Sequence, residues 1–231
     1  MKPRYAIYFT PAHGSPWWQF GAHWLGRDEC TDTPLVHAAV ADISPDELHQ
    51  ITEYPRRYGF HATLKAPFSL RGGVTLADLE QGMRALAQAQ KAVPLGPMQA
   101  SRMDNFVALV PVQPPAALAA LATLCVTSLD HLRAPLTQPE LARRLAQHLN
   151  TREQELLMQY GYPHVLERYR LHLTLTGPLS DVAAQTVVDA LADKVSHLNH
   201  AVPLVLDRLC LFVEPGPGQA FQRVADMELQ A

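Results

Sequence analysis

Three cysteines, Cys30, Cys125 and Cys210, scattered without C-x-x-C spacing, suggest neither a disulfide framework nor a zinc site. They read as buried or free thiols in a reducing compartment. Basic charge is also short: 19 lysines and arginines stand against 22 acidic residues, a formal net charge of -3. That balance argues against wrapping a long nucleic-acid backbone and leaves room for a small anionic ligand in a locally positive pocket. There is no apolar run long enough to cross a membrane and no signal-type stretch, because Met1 to Tyr5 lead straight into a strand-like segment; a cytoplasmic protein away from membranes is expected. No histidines show H-x-H or H-E-x-x-H spacing, and Gly72-Gly73 has no P-loop around it, so neither a metal nor another cofactor is expected.

What remains is an ordinary globular composition, 48% apolar and 18% charged over 231 residues, enough to bury a substantial core. Tyr5 to Thr10 reads as an opening strand stopped by Pro11. Ser15-Pro16 and Ser44-Pro45 read as helix starts with proline in the first turn, the first carrying Trp17, Trp18 and Trp24, which are more often core than a base-stacking platform. Gly59 to Ala66 alternates as a strand, Leu76 to Ala92 has helical periodicity, and Val93 to Ala100 with Asn105 to Val112 suggest paired strands. An alanine- and leucine-rich helical block covers about 115–160. Then come a strand (Tyr169 to Thr176), a helix (Ser180 to His197) and strands at Val202 to Glu214 and Ala220 to Met227, the last two parted by a Pro-Gly turn. Strands come partly in adjacent pairs and no low-complexity linker divides residues 1–231, so the fold class is α+β with antiparallel sheets, in one unit.

One internal repeat carries the chemistry. Arg57-Tyr58-Gly59-Phe60-His61-Ala62-Thr63-Leu64-Lys65-Ala66-Pro67 and Arg168-Tyr169-Arg170-Leu171-His172-Leu173-Thr174-Leu175-Thr176-Gly177-Pro178 match at Arg, Tyr, His, Thr, Leu and Pro in register, 111 residues apart. Each copy falls in an expected strand, so two related lobes facing each other across a pseudo-two-fold axis are the simplest account. Side chains alternate along a strand, which puts His61, Thr63 and Lys65 on one face and Ala62 and Leu64 on the other. The second copy repeats this with Arg170, His172 and Thr174 against Leu171, Leu173 and Leu175. A core wants neither histidine nor arginine, so the matched polar faces should line one cleft, with each imidazole placed to take or give a proton at neutral pH. Thr63 and Thr174 can donate to phosphoryl oxygens, and Lys65 and Arg170 offer positive charge. Arg57 and Arg168 rank beside them. Tyr58 and Tyr169 fall on the opposite face by parity, with a direct site role less expected.

The paired motifs His61-Ala62-Thr63-Leu64 and His172-Leu173-Thr174-Leu175 resemble those of the 2H phosphoesterase superfamily, which includes LigT-like RNA phosphodiesterases and cyclic nucleotide phosphodiesterases. More narrowly, RRYGFHATLKAPF, RYRLHLTLTGPL and RYAIYFTPAHGSPWWQFGAHWLGRD are similar to the uncharacterised branch encoded in bacterial phosphonate-utilisation operons. The likeness runs along nearly the whole chain. It implies a bilobal fold with two antiparallel sheets flanking a central cleft, a helical insertion at about 115–160, no metal, and catalysis by His61 and His172. The implied activity is hydrolysis of a small cyclic phosphodiester, with a phosphorylated ribose cyclic phosphate suggested by the phosphonate context. The implied partner is a small phosphorylated or nucleotide-like substrate. A non-catalytic nucleotide or RNA-end binding module, or 2′,5′-RNA ligase or phosphodiesterase-type processing, are the alternatives carried.

Overall fold

A computed structural model describes residues 3–231; Met1 and Lys2, expected to lead into the first strand, lie outside the described residues. The chain opens with β1 (Arg4–Phe9) and α1 (Pro16–Leu25), whose N-cap Ser15 accepts from the Trp18 amide and whose C-terminus is closed by Gly26 at φ 73°. Both features follow from capping chemistry. Next come α2 (Pro45–Ile51), capped by Ser44, and the one-turn α3 (Glu53–Arg56). The first repeat runs into β2 (Ala62–Phe68). Then α4 (Leu76–Gln88), started by a Thr75/Asp78 capping box, leads to the hairpin β3 (Met98–Met103) and β4 (Phe106–Pro111). Asp104 turns that hairpin at φ 51°.

The helical block resolves into α5 (Ala116–Thr127), α6 (Gln138–Leu145) and α7 (Thr151–Tyr160). The second repeat supplies β5, only Leu173–Thr174, and α8 (Asp181–Ala201), β6 (Arg208–Glu214) and β7 (Gln222–Glu228) close the chain. No helix is long and apolar enough to cross a membrane among the described residues.

The architecture is α+β. Seven strands form a sheet in the order β7-β6-β1-β2-β5-β4-β3, every pairing antiparallel. The two expected sheets are therefore the halves of one sheet, joined where β2 meets β5 through the residue pair Ala62 and Leu173. The repeats that were to face each other across a cleft lie side by side at the sheet's centre. One sheet face is apolar: Ile7, Phe9, Ala62, Leu64, Leu173 and Leu175 join residues of α1, α4, α5 and α8 in the main core. The opposite face carries a small aromatic cluster, Ala6, Tyr8, Phe212 and Phe221 with Tyr58 against it. Burial of the apolar face leaves His61, Thr63, His172 and Thr174 facing outward from the core, which is what alternation demands.

The tryptophans belong to the core. Trp17 and Trp24 are buried, with indole N–H groups donating to the Val202 carbonyl at 2.7 Å and the Leu175 carbonyl at 2.8 Å. Trp18 donates to Glu29 at 2.7 Å. Each buried indole has found its acceptor, and none lines the cleft bordered by the two repeats.

Candidate active site

Ala62 pairs with Leu173 in an antiparallel register. One residue either way sets His61 across from Thr174 and Thr63 across from His172. The four polar side chains thus form the corners of a square, with cross-strand neighbours about 4.5–5.5 Å apart at Cβ. All four line one cleft of about 690 Å³.

The two imidazoles are held alike. His61 Nδ1 lies 2.9 Å from the Gly59 carbonyl, and His172 Nδ1 lies 2.8 Å from the Arg170 carbonyl. A carbonyl can only accept, so Nδ1 carries the proton in each ring and Nε2 is the nitrogen left for chemistry. In the first half-site Thr63 Oγ1 sits 3.4 Å from His61 Nε2. Tyr8 stacks on His61 with ring centroids 3.9 Å apart, while Phe106 approaches His172 only to 5.9 Å. Burial lowers the pKa of His61 to about 4, with the Gly59 hydrogen bond working against the shift. Burial also lowers His172, opposed by its own bond to Arg170. Desolvation disfavours the charged imidazolium in both.

The remaining expectations divide. Tyr58 lines the cleft, stacked on Phe221 at 5.1 Å with its ring 6.0 Å from His61. Parity misplaced it because the regular strand begins only at Ala62 and Gly59 takes φ 75°, which breaks the alternation upstream. Arg57 also lines the cleft.

Lys65 does not. Residue pairing between β1 and β2 slips twice, Tyr8 opposing Thr63 but Ile7 opposing Lys65, so Leu64 is the extra residue of a bulge. A bulge inserts one residue and reverses the facing of the residues beyond it, and Lys65 turns into the core side. There it is 3% exposed, its Nζ 3.0 Å from the Val126 carbonyl and 3.1 Å from Asp130 Oδ1. Burial lowers its pKa while Asp130 holds it up.

Arg170 and Arg168 are exposed and do not line the cleft, since regular strand in the second copy is limited to Leu173–Thr174. What Arg170 supplies is its carbonyl. Tyr169 packs against the main core with its hydroxyl buried and unpartnered.

Among the cleft residues that went unread in the sequence are Arg4, Tyr8, Arg143 and Arg144. The alternation Arg4/Ala6/Tyr8 against Tyr5/Ile7/Phe9 in β1 was the available signal for the first two. The arginine pair on α6 had no local signal. Arg4 and Arg57 both donate to the buried Glu214. Burial, the largest single influence, would raise the Glu214 carboxyl, but the bond and charge of Arg4, the Gly218 amide and the Arg57 charge together outweigh it and the pKa is lowered. Among the described residues no aspartate or glutamate lines the cleft.

The one group of three or more metal-type donors among the described residues is His13, Asp28 and Cys30, with ligand atoms within 4.8 Å of one another. None of the three lines the cleft.

Residues 63–222 match the family described as a protein of unknown function, DUF1045. The chain belongs to this family. Two curated relatives, each named ribose 1,5-bisphosphate phosphokinase PhnN, match most of it: one from Janthinobacterium sp. (strain Marseille) is 42% identical over 94% of the chain, and one from Laribacter hongkongensis (strain HLHK9) is 37% identical over 95%. The chain spans about half the length of these relatives, 49% and 50%. Among solved structures, E. coli LigT complexed with 3′-AMP aligns over 100% of both chains at 15% identity and a TM-score of 0.45. A crystal structure of a phosphoesterase aligns over 99% of both at 14% identity and a TM-score of 0.42. At that level the likeness carries no inference about activity.

Proposed function

We propose that this DUF1045 protein is a metal-independent phosphoesterase of the two-histidine kind that hydrolyses a small cyclic phosphodiester, with a ribose cyclic phosphate as the first substrate to try. The observation that carries the reading is the square of two histidines and two threonines in which both imidazoles keep Nδ1 occupied by a backbone carbonyl. Two Nε2 atoms then share one cleft. A core position has no use for such a pair, and an anion-binding module has no need of two proton carriers. The name of the relatives, which speaks of ribose 1,5-bisphosphate, supports a ribose phosphate as ligand.

In the reaction, water attacks phosphorus in line with the departing ring oxygen. His61, kept neutral by burial, takes the proton from the water through Nε2 as the new P–O bond forms. His172, whose pKa burial also lowers, must enter the step as the imidazolium, and it gives its Nε2 proton to the departing oxygen as the old P–O bond breaks. The histidines finish with protonation states exchanged, and a proton passing through solvent resets them. Thr63 and Thr174 hydroxyls donate to the non-bridging oxygens where charge accumulates. Each proton transfer is worth about 10²–10⁴ in rate.

The test is a screen of ribose 1,2-cyclic phosphates, 2′,3′-cyclic nucleotides and 2′,5′-linked oligonucleotides, each with and without EDTA. Turnover of a small cyclic ester that survives chelation is expected. Activity abolished by EDTA and restored by one divalent ion would overturn metal independence. Length-dependent RNA binding without turnover would put the binding module first.

A further inference from the structure

The loop after β1 and the turn after α1 bring three ligand-type side chains together away from the cleft. His13 lies in the loop. Asp28 and Cys30 lie in the turn, at the mouth of a short ribbon in which Arg27 pairs with Pro34 and Asp28 with Thr33. One donor atom from each of the three residues falls within 4.8 Å of the other two. His13 stands 15 residues before Asp28, so no spacing motif announces the group; the fold assembles it.

Local bonding turns the donors toward one another. Asp28 Oδ1 accepts from the amides of Cys30 at 2.8 Å and Thr31 at 3.3 Å, which fixes the carboxylate and leaves Oδ2 facing His13 Nε2 at 3.1 Å. Trp18, its own N–H spent on Glu29, lies against the His13 ring with centroids 4.1 Å apart. Asp28 is buried while His13 and Cys30 are exposed, so a cation can enter from solvent and the two outer ligands can adjust. Around a tetrahedral zinc ion, N, O and S donors stand about 3.3–3.6 Å apart. His13 and Asp28 are already close to that separation, and the Cys30 sulfur has at most about 1.2 Å to travel from 4.8 Å, within reach of a side-chain rotation. Charge favours a cation as well. Besides Asp28, the carboxylates of buried Glu29 and of Asp226 bear on Cys30, against one guanidinium, Arg223, which is already paired with both.

The structure assigns to His13, Asp28 and Cys30 a binding site for a zinc-type divalent cation, with water in the fourth position. The donor set selects the ion: imidazole and thiolate suit Zn²⁺ and its borderline neighbours, whereas Mg²⁺ and Ca²⁺ take oxygen ligands. On binding, neutral His13 offers the Nε2 lone pair, Cys30 gives its thiol proton to water and binds as thiolate, and Asp28 Oδ2 exchanges its contact with His13 for one with the ion. None of the three lines the cleft, so the site is independent of the phosphodiesterase reading. Its place in the fold gives it a bracing role. Thr10, ahead of His13, donates to the Phe60 carbonyl, and Glu29, between the other two ligands, packs 2.7 Å from where a Cβ on Gly59 would fall. A cation tying these segments together holds the Gly59–Phe60 turn from both sides.

The full chain, stripped with EDTA and dialysed, is titrated with Co²⁺ and then with Zn²⁺. One Co²⁺ per chain should bind with a thiolate-to-metal charge-transfer band in the near ultraviolet, and Zn²⁺ should displace it where excess Mg²⁺ or Ca²⁺ does not. Cys30→Ser should abolish the band, because Cys125 and Cys210 are buried and no other thiol is exposed. His13→Gln and Asp28→Asn, the latter keeping an acceptor for the turn amides, should each weaken binding at least about tenfold, the loss found even for residues that only orient a ligand. Zn²⁺ should raise the melting temperature of the parent and leave that of Cys30→Ser where it was. Absence of binding, a Co²⁺ complex without the thiolate band, a band that survives in Cys30→Ser, or equal affinities in the parent and His13→Gln would each overturn the site and leave His13 and Asp28 as an ion pair only.

Discussion

The two halves of the candidate site share a hydrogen-bonding plan and differ in nearly everything around it. Each imidazole gives Nδ1–H to the carbonyl two residues before it, and each is followed two residues on by a threonine that lines the cleft. Yet the first carbonyl belongs to a glycine at φ 75° and the second to an exposed arginine outside the positive-φ region. The first histidine lies under a tyrosine at 3.9 Å, while the nearest aromatic ring to the second is a phenylalanine at 5.9 Å. The first sits at the start of a seven-residue strand and the second before one of two residues. What is duplicated is therefore the orientation of a nitrogen. The walls are free to differ: burial lowers the pKa of both imidazoles, but only the first has an aromatic ring stacked on it.

The largest effects should come from removing either nitrogen. His61→Ala and His172→Ala should each lower kcat by about 10²–10⁴, with smaller effects on substrate Kd because the threonines and arginines remain. Combined, they should cost less than the product of the singles if the two act as a unit. Single-turnover rates for the parent, both singles and the double check this. Near-parental turnover in either single variant would end the two-histidine mechanism.

Lys65 should break the resemblance between stability and function. Asp130→Ala strips a buried ammonium of its carboxylate, and an uncompensated buried charge costs about 3–5 kcal/mol. Lys65→Met, which removes the charge and keeps the stem, should cost clearly less. Neither should change KM after allowance for the folded fraction. Denaturant melts and steady-state kinetics decide it, and a KM raised tenfold in Lys65→Met would return this lysine to the substrate.

Gly59 and Arg170 offer the direct contrast between halves. A Cβ at Gly59 would meet Glu29 Cβ at 2.7 Å, on a backbone that L side chains rarely adopt. Gly59→Ala should therefore cost about 1–3 kcal/mol and lower kcat by tilting His61. Arg170→Ala keeps the carbonyl that holds His172 and should fall within about 0.5 kcal/mol of the parent. Equal melting temperatures for the two variants would erase the asymmetry.

The sequence made the duplication legible, because His, Thr and the flanking Arg, Tyr and Pro recur in register, and alternation correctly turned His61, Thr63, His172 and Thr174 to one side. It failed at Lys65 and Arg170 for one physical reason. Parity holds only inside an unbroken strand, and neither the bulge at Leu64 nor the shortness of β5 leaves a local trace. The fusion of the two halves into one sheet depends on a single long-range pair, Ala62 with Leu173, beyond the reach of local pattern. Arg143 and Arg144 look like any solvated helix face until the chain around them folds back over the cleft.

The smallest expected effect, and the most specific to the first half-site, concerns Tyr8. Its ring covers His61, and burial holds that imidazole at a pKa of about 4, below the unperturbed value of about 6.5. The unfolded chain therefore binds more protons at this site between those values. The linked stability is fully present above about pH 6.5 and is lost as pH falls toward 4. Tyr8→Phe keeps the ring and should leave the titration near 4. Tyr8→Ala admits water and should move it up toward 6.5, carrying the acid limb of the pH–rate profile with it and shrinking the acid-side loss of stability contributed by His61. The His172 titration should stay where it is in both variants, since Phe106 and not Tyr8 lies beside it. Imidazole resonances followed by NMR across pH 3–8 separate the two rings. A His61 titration unmoved in Tyr8→Ala would mean that the stacked tyrosine is not what keeps this base neutral, and the division of labour between the histidines would lose its physical cause.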